Sequence, residues 1–203
     1  PIFQPSPPPE PTNEENPSLK IFVVKEGGKY FQDFKLFHYT HSTTIDNLIF
    51  LPHYGIYFGE TLEWKASDLE DATVQRSTKQ SKHPSTTQLE SIESKIRSKL
   101  QDVFSFDFTP VYRFIRMNHL TESEFDHLDP SFHTLLPKQS VIFSDDTVES
   151  IKEKFSSMGE YLHTPLSSVQ IIGALQTYTF ILPTPSETYG ALLSPQQVQF
   201  VYS

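Results

Sequence analysis

The stretch "KLFHYTHSTTIDNLIFLPHYGIYFGETLEW", residues 35–64, decides how the chain is read. Its first part continues the alternating run "FKLFHYT", which places Phe34, Leu36, His38 and Thr40 on one face of a strand and Lys35, Phe37 and Tyr39 on the other. His38 therefore points the same way as Leu36, toward a core or a pocket. The next part, "STTIDNLIF", offers Ser42, Thr43 and Thr44 as N-caps and Ile45, Leu48 and Ile49 at helical spacing, and predicts a short helix. "HYGIYFGE" then reads as a strand entered through Gly55 and left through Gly59. On this reading His41 and His53 fall in turns, and two strands bracket one pocket.

Working outward, the 203 residues include 17 Phe and 9 Tyr but only 7 Gly and 2 Met, a balance that favours a sheet-containing core over a helical bundle. That length suits one domain with one good core. The net charge of −9 lacks the basic footprint that phosphate backbones require, so nucleic acid is not an expected partner. Without cysteine there are no disulfides, thiolate metal sites or cysteine nucleophiles. No apolar run reaches the roughly eighteen residues of a spanning helix, and no signal peptide opens the chain, so no membrane association is expected. A first residue of Pro rather than Met is expected of a fragment or a processed product.

Residues 1–18, "PIFQPSPPPEPTNEENPS", are too rich in proline and polar groups to build a core and read as an extended leader, with the domain spanning 19–203. Within "SLKIFVVKEGG", Ile21 to Val24 form a β-rich run stopped by Gly27 and Gly28. Residues 65–87 read as a polar surface loop, followed by an amphipathic helix with Leu89, Ile92, Ile96 and Leu100 on one face. "VFSFDF" and "VYRFIRM" alternate as strands on either side of Thr109 and Pro110. Thr121 and Glu124 form a capping box. A further helix is capped by Ser144, Asp145 or Asp146, buries Val148, Ile151 and Phe155, and stops at Gly159. "SSVQIIGALQTYTFILP" and "VQFVYS" read as closing strands. Strands and helices mix without a regular βαβ alternation, so the predicted class is α+β, with a mainly antiparallel mixed sheet and several short helices.

The chemistry-bearing motifs are few. No GxGxxG, Walker or G-x-S-x-G pattern occurs, which removes the usual dinucleotide, nucleoside-triphosphate and serine-hydrolase readings. His38 and His41, three apart at a strand exit, are poor co-ligands for a metal. His38, His133 and His163 each precede or neighbour a threonine, but the prolines at 137 and 165 keep the latter two out of clear strands, which weighs against a two-histidine phosphoesterase. Asp145 and Asp146 sit where a helix N-terminus favours negative charge.

The line "LFHYT", followed at short distance by "YGIYFGETLEWKAS", resembles the first half of an ADP-ribosyltransferase core of the His-Tyr-Glu class, as in poly-ADP-ribose polymerases and diphtheria-type toxins. The resemblance implies that NAD is bound as substrate. His38 would hold the ribose hydroxyl, with Tyr39 and Thr40 beside it, and Gly55 and Tyr57 would form the nicotinamide side with Tyr57 as the stacking ring. A late carboxylate would steady the cation-like sugar. The sequence departs from the family at Tyr39, where the polymerases carry Gly, at Lys65, which leaves Ser67 as a displaced hydroxyl, and at Asp68 in place of a second tyrosine. In the late strand Gln199 stands where Glu is expected, with Glu187 as the alternative carboxylate. Glutamine accepts a hydrogen bond but carries no charge. A second reading, of a different class, is a non-catalytic domain that binds a protein partner through the leader and exposed aromatics.

Overall fold

The computed structural model describes residues 16–38, 41–70, 84–101 and 110–176. Its elements are α1 (Ser18–Lys25), β1 (Lys29–His38), β2 (His41–Leu51), β3 (Gly55–Leu62), α2 (Pro84–Leu100), β4 (Val111–Met117), α3 (Glu122–Asp126), α4 (Pro130–Leu135), a 3-10 turn (Lys138–Ser140), β5 (Val141–Ile142), α5 (Val148–Met158) and α6 (Ser168–Gln176). The five strands form one mixed sheet in chain order, β1-β2-β3-β4-β5. The first two pairings are antiparallel and the last two parallel, so the class is α+β as the sequence indicates. The two parallel pairings follow from α2 and the α3–α4 segment, which carry the chain back across the sheet. No described helix is long and apolar enough to cross a membrane.

Both faces of the sheet are covered, and this explains where sequence patterning misleads. Leu48, Phe50, Ile56 and Phe58 pack with Leu89, Ile92, Ile96 and Leu100 of α2 and with Ile171 and Leu175 of α6. Ile49, Leu51, Tyr57 and Phe114 pack on the other side with Leu19, Phe22 and Val23 of α1 and Ile151 and Phe155 of α5. A central strand buried on both faces shows a continuous apolar run instead of alternation. Residues 42–50, expected to be a helix, are therefore the heart of β2: Asn47 to Leu51 are all buried. The accidental spacing of Ile45, Leu48 and Ile49 imitates a helical stripe.

Two further elements differ from expectation in the opposite sense. Ile21 to Val24 belong to α1, in which Leu19, Phe22 and Val23 are buried while Ile21 and Val24 face outward. Gly27, at φ 69°, ends the helix with the paired bonds Gly28 N–H to Val23 O (2.9 Å) and Gly27 N–H to Val24 O (3.0 Å), the Schellman arrangement that only glycine enters without strain. The run beginning at Ser168 forms α6, with Ile171 and Leu175 one turn apart and buried. Local β propensity yields in both cases to burial of a helical stripe.

Other expectations hold. α2 buries Leu89, Ile92, Ile96 and Leu100, and the Thr121–Glu124 capping box closes reciprocally. The cap of α5 is Thr147, one residue beyond the expected set, while Asp145 accepts from the backbone N–H of Glu122 (3.0 Å). Residues 66–70 are helical and residues 84–87 begin α2, so the polar loop is shorter than expected among the described residues. Packing begins before residue 19: the Asn16 amide donates to Asp146 O (2.8 Å) and its carbonyl accepts from Arg116 (3.2 Å). "VFSFDF", the run from Thr177 onward and "VQFVYS" lie outside the described residues.

Candidate functional site

Of the residues implied by the ADP-ribosyltransferase resemblance, Tyr39, Thr40, Glu187 and Gln199 lie outside the described residues. The others do not share a cleft. Tyr57 is fully buried against α5, where its hydroxyl donates to Phe155 O (2.8 Å) and its ring lies 4.5 Å from that of Phe155. Burial, with Tyr112 and Tyr54 nearby, pushes its phenol far above the ordinary range. His38 is on the opposite face, toward α2, where burial and then the charges of Lys95 and Lys99 hold its imidazole below the usual range. The strand register separates them further. Tyr57 pairs with Ile49, which pairs with Tyr30, whereas His38 lies eight residues beyond Tyr30, roughly 26 Å along the strand.

Tyr57 is thus a core residue whose ring and hydroxyl are both engaged, and it does not present a stacking face beside His38. Gly55, at φ 127°, brings its backbone against Pro110, whose carbonyl would lie 2.4 Å from a Cβ there. It shapes the β3–β4 junction and lies at the opposite end of β3 from Thr61 and Leu62. Ser67 is exposed on the helical turn after β3. His41 opens β2 opposite His38, and His53 lies in the β2–β3 turn, stacked on Tyr161 at 5.0 Å with Nδ1 2.8 Å from Leu162 O.

A small cleft lies elsewhere, where β2 and β3 part beneath α2. Their backbone pairing runs from Leu51 and Gly55 to Asn47 and Gly59. At the next step the Asp46 carboxylate takes the place of a ladder acceptor, receiving the Thr61 N–H at 3.0 Å. The opening, of about 60 Å³, is floored by Thr44 to Asp46 and by Gly59 and Glu60, and walled by Phe58, Leu89 and Ile92. This volume admits one or two waters or a small ion. Gly59 has no room for a side chain on the side away from the cleft, because a Cβ there would meet Phe114 O at 2.6 Å.

Asp46 and Glu60 occupy facing positions one step past the last backbone pair. Glu60 Oε2 is buried with no hydrogen-bond partner among the described residues. Burial, and after it the Asp46 charge, raise the Glu60 carboxyl above its ordinary value. Two carboxylates held this close favour a proton or a cation between them. Glu60 follows the tyrosine strand with no motif to mark it, and Asp46 lies inside residues 42–50, whose spacing predicts a helix. The available signal is the hairpin itself: once residues 42–50 are a strand, the turn at 52–54 sets Asp46 opposite Glu60. No family model, curated protein or solved structure matches the chain.

Proposed function

We propose that the chain is a cation-binding domain in which Asp46 and Glu60 are two oxygen ligands to a divalent ion. The observation that carries this reading is the buried, unpartnered Glu60 Oε2 beside the Asp46 carboxylate. A buried acceptor without a donor costs stability, and a cation supplies what is missing while offsetting the repulsion between the two acids. Magnesium-like ions need only one or two carboxylates when water or ligand oxygens complete the shell. The NAD reading keeps His38 on this face of the sheet but has no Tyr57 beside it, so the carboxylate cleft is the better-supported centre.

Thermal melts at neutral pH test the proposal. Millimolar magnesium, manganese or calcium is expected to raise the Tm of the wild type, by about 3–6 °C at roughly ten times Kd, and to leave Asp46→Asn and Glu60→Gln unmoved. An equal cation response in all three proteins would sink the idea.

The pH dependence has a definite sign. The folded protein holds the Glu60 proton more tightly than the unfolded chain, so that contribution is full below the ordinary glutamate value and is lost as the pH rises through the elevated one. Cation-free Glu60→Gln is therefore expected to melt above the wild type at pH 8, with the difference closing as the pH falls toward 4.

A further inference from the structure

We propose that the free edge of β4 takes an added strand from the chain's own residues 198–202, "VQFVY", which fills the groove between α2 and the segment that joins α4 to β5.

The edge follows from the direction of the peptide groups. Ile56 N–H donates to Pro110 O at 2.9 Å, which turns the even-numbered residues of β4 toward β3. Successive residues of a strand direct their N–H and C=O to opposite sides, so Val111, Arg113 and Ile115 turn theirs outward. β5 meets β4 only at Ile115 and Arg116. Val111 O accepts from Arg97 Nη2 at 3.3 Å. Between these two points the Val111 N–H and both backbone groups of Arg113 face no strand among the described residues. Beside them lies a groove of about 480 Å³, walled by Leu89 of α2, by Leu135, Leu136 and Pro137, and by Met158 at the end of α5. Leu135 is 57% exposed, so this wall is not covered by the fold described above.

An open strand edge beside apolar walls is a template for one more strand, which satisfies the backbone and covers the walls together. Water alone would satisfy the backbone groups but would leave Leu135 and its apolar neighbours wet. From Val111 to Ile115 the edge is roughly 13 Å long, the length of a strand of about five residues. Its walls lie on both sides of the sheet, Leu89 in the α2 layer and Met158 in the α5 layer. The occupant therefore needs apolar groups at successive positions and not only at alternate ones. Two runs beyond α6, both outside the described residues, have them: Phe180 to Leu182 and Phe200 to Tyr202. α6 packs on β1 and α2, and β1 stands three strand spacings, roughly 14 Å, from β4. Phe180 comes four residues after Gln176, roughly 13 Å of extended chain, which falls short once the step from the helix layer down to the sheet is added. The 22 residues from Gln176 to Val198 span roughly 25 Å as a flexible coil and reach the edge freely. The proposal does not rest on the cation reading.

Amide hydrogen exchange of the full chain, read by NMR at the Val111 and Arg113 N–H, tests this. In the wild type both are expected to exchange about tenfold or more slowly than in a double variant, Phe200→Asp with Val201→Asp, while the amides of β2 and β3 keep their rates. A synthetic peptide of residues 197–203 at millimolar concentration is expected to restore the protection in that variant. Leu135→Asp, at an exposed position, should lose the protection from the groove side, and there the peptide should not restore it. Fast exchange at Arg113 in the wild type would overturn the proposal, because the edge would be open to water. A peptide that slows neither amide in the double variant would overturn it as well. So would protection that survives the double variant: dependence on protein concentration would then identify a second copy as the occupant, and loss in Phe180→Asp with Ile181→Asp the earlier run.

Discussion

Replacing Asp146 with alanine is expected to destabilise the fold by about 3–5 kcal/mol in urea unfolding, the range for breaking one partner of a buried ion pair. Asp146 Oδ2 lies 2.8 Å from Lys154 Nζ, with 3% and 9% of the two side chains exposed. The same carboxylate accepts the Phe143 N–H at 2.6 Å and the Ser150 hydroxyl at 2.8 Å. Lys154 also donates to Val141 O at 2.9 Å and sits 4.5 Å from the centre of the Phe143 ring. One pair therefore joins the end of β5, the turn after it and α5. Removing the acid strands a buried ammonium and an amide donor together. A double replacement, Asp146→Leu with Lys154→Met, should cost clearly less than the sum of the single changes, because each single change leaves an unpaired charge that the double one does not. A cost below about 1 kcal/mol for Asp146→Ala would mean that water reaches the pair and that it behaves as a surface bridge.

Tyr57→Ala is expected to lose about 3–5 kcal/mol, the usual consequence of emptying a buried aromatic position. Tyr57→Phe should lose about 1–3 kcal/mol, because the Phe155 carbonyl is left without its donor. The ring is enclosed by Phe155 at 4.5 Å and Tyr112 at 5.1 Å, so neither neighbour can collapse far into the space. The informative comparison is the phenylalanine variant under ligand. Its Tm should be lower at every cation concentration, while the cation-induced increments match those of the wild type. Increments that shrink in Tyr57→Phe would show that this residue reaches a ligand after all, in contradiction to its place behind the sheet.

The contrast between these residues and the cleft shows what the sequence made legible. Amphipathic α2, strand β4, the capping box at Thr121 and the stop at Gly159 are written in local patterns, and they are found where the patterns place them. Residues 42–50 were not legible because burial on both faces erases the alternation that identifies a strand. Ile21 to Val24 and 168–176 were not because β-branched residues there serve helices that pack on the sheet. The candidate site inherits these errors. His38 and Tyr57 look adjacent in a short aromatic stretch, but strand parity and an eight-residue offset in register put them on different faces and far apart. Asp46 and Glu60, fourteen positions apart in the chain, become neighbours only once the hairpin is known. Parallel pairing of β3, β4 and β5 depends on crossovers that no local pattern encodes.

The β2–β3 turn is clasped from far along the chain: Leu162 N–H donates to His53 O at 2.7 Å and Leu166 N–H to Pro52 O at 2.8 Å. A slip of one residue in this hairpin would exchange the two sides of β3, sending Glu60 into the layer of Tyr57 and Tyr57 into the cleft. During synthesis the hairpin leaves the ribosome long before its clasp does. The spacing of the carboxylate pair is therefore tied, through the turn, to a segment that the chain reaches only after β4, β5 and α5.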